Sequence, residues 1–471
     1  MQAATQDKTH EPDDLRTDAL VSGTSARRFS WQVLCTLSVR LLMAANSVGS
    51  GIIISRWLGA ESWGLYAVLS VMVGNIVQIG GSGLTSANVY FIARERKVLS
   101  TACANAFMFA GVGGSALVFG VLALAAWRPE LLPNIPLRLL AVAALAIPFQ
   151  LLTLLLLNFF LALGRVERYN ALDALVQSFV LLNAVLALVL LRAGLSTLVS
   201  LNTTASAALS LVIAMLVFRA ARREGELTKT RLRWRPEAQL FKHMMCYGGK
   251  ITVMVAAMTL VMRADLLIVH YFRGGAEAGV YAVAVQCSLL LMMLPNVLGT
   301  LLFPRVAETR DTSGKFTTRV VRHTAFVMAL VSMAAVPLAF VIPIAYGAAF
   351  ADAPRQLLLL LPGAYLLGLQ MILSQHLAGA GVPRALPAFW IFTFLLSVTL
   401  NLLLAPHYGA RGAACVSTLC YATIFALTLV YFRSQTGRSF ATTLILRRAE
   451  LERLLTCGNA FGRGSKVEPT A

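Results

Sequence analysis

Charge is scarce in this 471-residue chain: Asp, Glu, Lys and Arg together make only 13% of it, while 58% is hydrophobic. The mean hydropathy is +0.73, and so little polar side chain cannot cover the core of a soluble protein this long. The seven Cys, at 35, 103, 246, 287, 415, 420 and 457, show neither metal-ligand nor paired-loop spacing, so no disulfide or zinc framework is expected. The six His are dispersed and no two carboxylates share a helix face, which leaves no catalytic or metal constellation. Gly249-Lys250 lacks the upstream Gly and the following Ser or Thr of a phosphate-binding loop. Asn202-Thr203-Thr204 matches a glycosylation sequon but falls within a predicted helix, so it is taken as a chance match. No cofactor is implied. A cleavable signal peptide is not expected either. Residues 1–30 are polar, and the apolar run from Trp31 to Ser55 is too long for a signal core and has no small-residue cleavage site behind it.

What is present is a series of apolar runs, each near the ~20 residues that cross a bilayer as a helix. They predict an all-α polytopic membrane protein of about twelve transmembrane helices, from 31–55 to 411–433. The expected organisation is a polar N-terminus (1–30), six helices (31–219), a basic linker (220–244), six more helices (245–433) and a basic tail (434–471). Besides 220–244, only 304–320 reads as a long connection, and the tail carries a short amphipathic stretch around Thr442–Leu455. If residues 1–30 are cytoplasmic, thirty of the forty Lys and Arg residues fall in cytoplasmic segments and seven in outer loops. That asymmetry puts both termini in the cytoplasm. The net charge of +19 then lies against anionic lipids, and no nucleic-acid partner is called for.

An internal repeat divides the chain. Gly59-Ala-Glu-Ser-Trp-Gly64-Leu-Tyr66-Ala-Val68 returns as Gly274-Gly-Ala-Glu-Ala-Gly279-Val-Tyr281-Ala-Val283, 215 residues later. Leu161, Ala162, Val166 and Arg168 return as Leu377, Ala378, Val382 and Arg384 at an offset of 216. Six helices per repeat is an even number, so the two halves are expected to be parallel six-helix lobes around a central cavity. Such a cavity can open to either side in turn, as a transporter requires.

Ionisable residues inside apolar helices are the ones expected to do chemistry. Arg40 sits in the first helix; Lys250 and Arg263 sit in the seventh, its counterpart, with Asp265 two residues on. Cations on symmetry-related helices would suit an anionic head group such as a diphosphate, which Arg holds by two hydrogen bonds at once. The plainer alternative is that Lys250 snorkels to the interface and that Arg263 and Asp265 neutralise structural neighbours. Asp265 could equally bind an ion, orient Arg263 or support the fold. Asp173, one turn into the fifth helix, reads as interfacial. Asn46 and Ser50, with Ser47, on the first helix, Asn75 and Gln78 on the second, and Gln370, Ser374, Gln375 and His376 on the tenth could contact sugar hydroxyls or simply bond between helices. The run Gly80-Gly81-Ser82-Gly83 could be a hinge or a close-packing site.

Ser55-Arg-Trp-Leu-Gly-Ala-Glu-Ser-Trp-Gly-Leu-Tyr-Ala, after a polar-dotted first helix, resembles the bacterial polysaccharide transporter family of O-antigen and exopolysaccharide flippases. Arg263-Ala-Asp265-Leu-Leu leading to Gly279-Val-Tyr281-Ala, and Pro406-His-Tyr-Gly409-Ala-Arg-Gly412, resemble that family at the start of its second half and before its twelfth helix. The resemblance implies the multidrug/oligosaccharidyl-lipid/polysaccharide exporter fold with alternating access. It also implies a polyprenyl-diphosphate-linked oligosaccharide as cargo, and cavity arginines for which Arg40 and Arg263 are the candidates. Membrane lipids, a coupling cation, and a glycan polymerase or glycosyltransferases are the partners it suggests. Two rivals remain: a multidrug-type cation-coupled antiporter of the same superfamily, and a membrane glycan polymerase or glycosyltransferase. Residues 31–55 and 355–378 contain no Asp or Glu for the first, and no outer loop is long enough for the second.

Overall fold

A chain surrounded by hydrocarbon has no water to satisfy its peptide groups, so each crossing must close its own hydrogen bonds as a helix. The computed structural model describes residues 13–227, 234–309, 314–381, 383 and 385–444, and among them there is no strand. Among the described residues, ten helices are long and apolar enough to span a bilayer. They are α1 (Leu37–Arg94), α2 (Arg96–Trp127), α3 (Leu137–Ala162), α4 (Val166–Leu190), α5 (Leu195–Glu224), α6 (Ala238–Arg273), α7 (Gly275–Gly299), α8 (Lys315–Ala339), α9 (Ala353–Gly379) and α10 (Ala385–Thr436).

Two of these are double. The 58 residues of α1 would extend about 87 Å if straight, against about 30 Å of hydrocarbon. The helix is broken at Gly59, whose φ of 75° and ψ of 178° lie where essentially only glycine goes. The 52-residue α10 is broken in the same way at Gly409 (φ 58°, ψ −140°). Counted by halves, the ten helices give the twelve segments expected.

The repeat is visible in the backbone. Gly274, between α6 and α7, has φ 84° and ψ −176°, almost the conformation of Gly59. Helix α9 begins at Ala353, 216 residues after α3 begins at Leu137. These two, with α7, are the most enclosed helices: 56% of the apolar window of α3 is buried, and 61% in both α7 and α9. Their buried side chains centre two clusters, one around Leu151, Leu155, Phe159 and Phe160, the other around Tyr281, Ile372, Leu373 and Phe432. The remaining helices turn residues such as Phe119, Met333 and Leu403 outward, where lipid would lie.

Several expectations are corrected. The linker at 220–244 is mostly helix, because α5 stays helical to Leu227 and α6 starts at Ala238. The connection at 304–320 shrinks likewise, since one helix runs to Thr309 and the next starts at Lys315. Helices with polar ends project beyond the apolar window that betrays them. The Gly80–Gly83 run is unbroken helix and a close-packing site. A Cβ on Gly81 would press on Leu151 and Leu154, and one on Gly83 on the backbone of Gly248. Of the proposed Thr442–Leu455 stretch, residues 440–444 are helical and the rest lies outside the described residues.

Candidate functional site

The first half of α1 presents Arg40, Met43, Ala44 and Ser47 along one stripe, at helical spacing. Facing it, α7 presents Gln286, Leu289, Leu290, Met293, Asn296 and Val297, again at helical spacing. Between the stripes, with Gln177 of α4 at one side, lies a cavity of about 410 Å³. At one end Gln286 closes it, donating through Nε2 to the Ser47 carbonyl (2.7 Å) and to Ser47 Oγ (2.9 Å). Tyr346 OH donates in turn to Gln286 Oε1 at 3.3 Å.

Arg40 is the cation of this cavity. Its Nη1 lies 3.7 Å from Asp173 Oδ2, with Asp173 the more buried partner (19% exposed, against 40% for Arg40). Asp173 is therefore not a bystander at the interface; it is the counter-ion that the first helix does not supply. At that separation and exposure the pair is loose, and such pairs contribute little to stability. Arg40 can be taken over by a better anion.

A second chamber, of about 460 Å³, lies within the N-terminal half between α1, α3, α4 and α5. Ser47, Gln177 and Gln286 line both spaces, and Asp173 lines the chamber. Inside, Asn183 Nδ2 donates to Asn202 Oδ1 (2.8 Å), and Asn202 Nδ2 donates to Tyr66 OH (3.1 Å). Trp63 stands beside Tyr66 with ring centroids 5.9 Å apart. The Trp63 indole nitrogen is buried and has no hydrogen-bond partner.

The other expected residues are scattered. Ser50 lines the chamber, and Asn46 donates to Ser178 Oγ at 2.8 Å. Asn75 is buried with both amide atoms unpaired, while Gln78 is exposed. On α9, Gln370 donates to Ser374 Oγ (2.7 Å), and Gln375 is half-buried against Gly299. His376 is buried, with Nδ1 2.7 Å from Thr317 Oγ1 and its ring edge on Phe432. None of these α9 side chains reaches either cavity. Lys250 is exposed, twelve residues into α6. Arg263 is exposed and reaches α1, with Nη1 3.4 Å from where a Cβ on Gly74 would lie. It too lies outside both cavities. Of the alternatives left open for Asp265, a pairing with Arg263 does not form: Asp265 is buried and accepts from Tyr281 OH (2.5 Å), Ser417 Oγ (2.8 Å) and the Leu266 N–H (2.7 Å). Among the described residues no three His, Cys, Asp or Glu side chains gather as a metal site would need.

Sequence reasoning missed Trp63, Tyr66, Gln177, Asn183, Asn202 and Gln286. The signal was available, because each is a polar or amphipathic side chain within an apolar helix. Asn202 was hidden behind its sequon.

The two halves meet through glycines. A Cβ on Gly64 would collide with the backbone of Gly275 and Gly279, and one on Gly248 with the backbone of Gly83. Next to the second contact, Tyr90 stacks on Tyr247 with centroids 4.7 Å apart. The second half of α1 is thus clamped to the C-terminal half at both ends, while the Arg40 cavity lies on the α1–α7 side.

Taken together these features define an all-α polytopic membrane protein with repeated halves and a polar interior. The chain belongs to the polysaccharide biosynthesis protein family, whose pattern it matches over residues 29–310. Its fold is that of transporter structures. It superposes on the lipid II flippase MurJ in an inward closed conformation with a TM-score of 0.69 at 13% identity, covering 93% of this chain and 94% of that one. An inward-facing multidrug resistance MATE family transporter of the MOP superfamily gives 0.66 at 15% identity over 86% and 98% of the two chains. The outward-facing conformation of such a transporter gives 0.59 at 15% identity over 86% and 95%. No curated protein sequence matches the chain.

Proposed function

We propose that the protein flips a polyprenyl-diphosphate-linked oligosaccharide across the bacterial inner membrane by alternating access, with both termini cytoplasmic. The observation that carries this reading is Arg40, a guanidinium inside the membrane on the wall of a cavity between the two halves, held by a loose ion pair with Asp173, a 3.9 Å contact to Met43 Sδ and a hydrogen bond with the Tyr169 hydroxyl. A diphosphate offers it bidentate, charge-assisted hydrogen bonds that the 3.7 Å contact with Asp173 does not supply. Arg263 and Lys250 are then further cargo cations, met when the halves rearrange. Asp265, held by neutral hydroxyls rather than by a cation, is the candidate for coupling to a proton or cation. Membership of a polysaccharide biosynthesis family supports a glycan-bearing cargo supplied by glycosyltransferases and consumed by a polymerase.

One observation favours the multidrug antiporter instead: Asp173 gives the chamber a carboxylate that could attract an organic cation. Arg40 neutralises it in this structure. Reconstitution separates the readings. Proteoliposomes should translocate a labelled polyprenyl-diphosphate oligosaccharide and should not extrude ethidium; ethidium extrusion without lipid translocation would reverse the assignment.

A further inference from the structure

We infer that the chamber in the N-terminal half is a sugar subsite, built for an uncharged hexose or N-acetylhexosamine next to the diphosphate and closed to a hexuronate. This rests on the flippase reading and adds to it a place and a preference for the first sugar.

The chamber shares Ser47, Gln177 and Gln286 with the Arg40 cavity, so a group one bond beyond a diphosphate on Arg40 falls at its mouth. Its volume of about 460 Å³ lies within the range of small-molecule pockets. The polar wall consists of amides and hydroxyls, as hydroxyl-rich neutral ligands require. Its one carboxylate is Asp173. Sugars also have an apolar face, and the paired rings of Trp63 and Tyr66 offer an amphipathic surface against which it can lie.

One detail separates a ligand site from plain interhelical bonding. Trp63 lines the chamber and its indole N–H is buried without an acceptor, a costly arrangement that a sugar oxygen would relieve once the ring turns its edge to the chamber. The Asn183–Asn202–Tyr66 chain, with Ser70 as the other partner of the Tyr66 hydroxyl, fixes the Asn202 amide and orders a polar wall across α1, α4 and α5.

The ion pair couples the subsite to the head group. When a diphosphate takes Arg40, Asp173 loses its counter-ion and stands in the chamber as a bare carboxylate. A second carboxylate a few ångströms away is repelled, the more strongly for being shielded from water. A neutral sugar is not, and its hydroxyls can donate to Asp173. Cargo with a neutral first sugar is accepted and cargo with an acidic one refused.

The test is a titration of the full-length protein in nanodiscs with three synthetic lipids: a polyprenyl diphosphate, the same lipid bearing one N-acetylhexosamine, and the same lipid bearing one hexuronate. The neutral sugar should tighten binding tenfold or more over the bare diphosphate, and the hexuronate should not. Asn202→Leu and Trp63→Leu should erase the gain while keeping the affinity for the bare lipid, which also shows that the variants are folded. Asp173→Asn should admit the hexuronate. If wild-type protein binds the bare diphosphate and the neutral sugar adds nothing, or if both chamber variants keep the full gain, the subsite is wrong and the flippase reading stands. If wild-type protein does not bind the bare diphosphate, both fail.

Discussion

Arg40 and Asp173 behave as a latch that a head group opens, and that picture gives opposite signs for the two partners. Removing Asp173 as Asp173→Asn frees the guanidinium, and binding of a polyprenyl diphosphate should tighten several-fold. Arg40→Ala should weaken it tenfold or more, and Arg40→Lys should recover part of the loss because Lys keeps the charge but not the fork. Equal loss in Asp173→Asn and Arg40→Ala, measured by calorimetry, would mean that the pair supports structure rather than binding. Asp265 gives a different prediction. Its carboxylate accepts from Tyr281 and Ser417 and not from Arg263. Tyr281→Phe should therefore cost about 1.5–3 kcal/mol, the range for a hydrogen bond to a charged group, read as a lower melting temperature. Arg263→Ala should leave the melting temperature unchanged. An equal drop in both would restore the pairing that the sequence suggests. That sequence marks Arg40 and Asp265 as intramembrane charges by their position alone. It does not mark their partners, because Asp173, Tyr281 and Ser417 lie on other helices and adjacency between helices is a property of packing.

Among the elements, the second half of α1 bears most on conformational change, since it touches the C-terminal half through backbone at Gly64 and at Gly83. Neither contact leaves room for a side chain. Gly83→Leu should force the Gly83–Gly248 approach apart and carry the stacked Tyr90 and Tyr247 with it. In a background without native cysteines, the disulfide cross-link between Tyr90→Cys and Tyr247→Cys should form several-fold more slowly when Gly83 is replaced. An unchanged rate would show that the approach is incidental. Helix positions were legible in the sequence because hydrocarbon dictates them. The offset of 215 residues correctly paired Gly59 with Gly274, whose backbone angles nearly coincide. Helix ends were less legible: α5 runs into the basic segment as far as Leu227 and α6 starts within it at Ala238, where charge no longer reports the boundary. The role of Gly80–Gly83 was ambiguous for a similar reason. A glycine run permits both bending and close packing, and only the neighbouring Gly248 and Leu154 decide between them.

At the scale of the whole molecule, the proposed six spans per half would place both termini on one side of the membrane, and the distribution of basic residues favours the cytoplasm as that side. A reporter fused after Arg433 should be active only as a cytoplasmic reporter; a periplasmic signal would break the six-plus-six topology. The overall arrangement was readable from repeat and hydropathy, whereas the chamber in the N-terminal half was not. Its lining comes from α1, α3, α4 and α5, each contributing a few polar side chains that look isolated along the chain. The proposed transport requires that Arg40 hold an anionic lipid-linked cargo while it crosses. Its most direct test is translocation of a fluorescent polyprenyl-diphosphate oligosaccharide in proteoliposomes, with melting temperature measured in parallel. Wild-type protein should move the lipid well above protein-free vesicles, and Arg40→Ala should fall to that background at an unchanged melting temperature. Transport by Arg40→Ala at the wild-type rate would contradict the account.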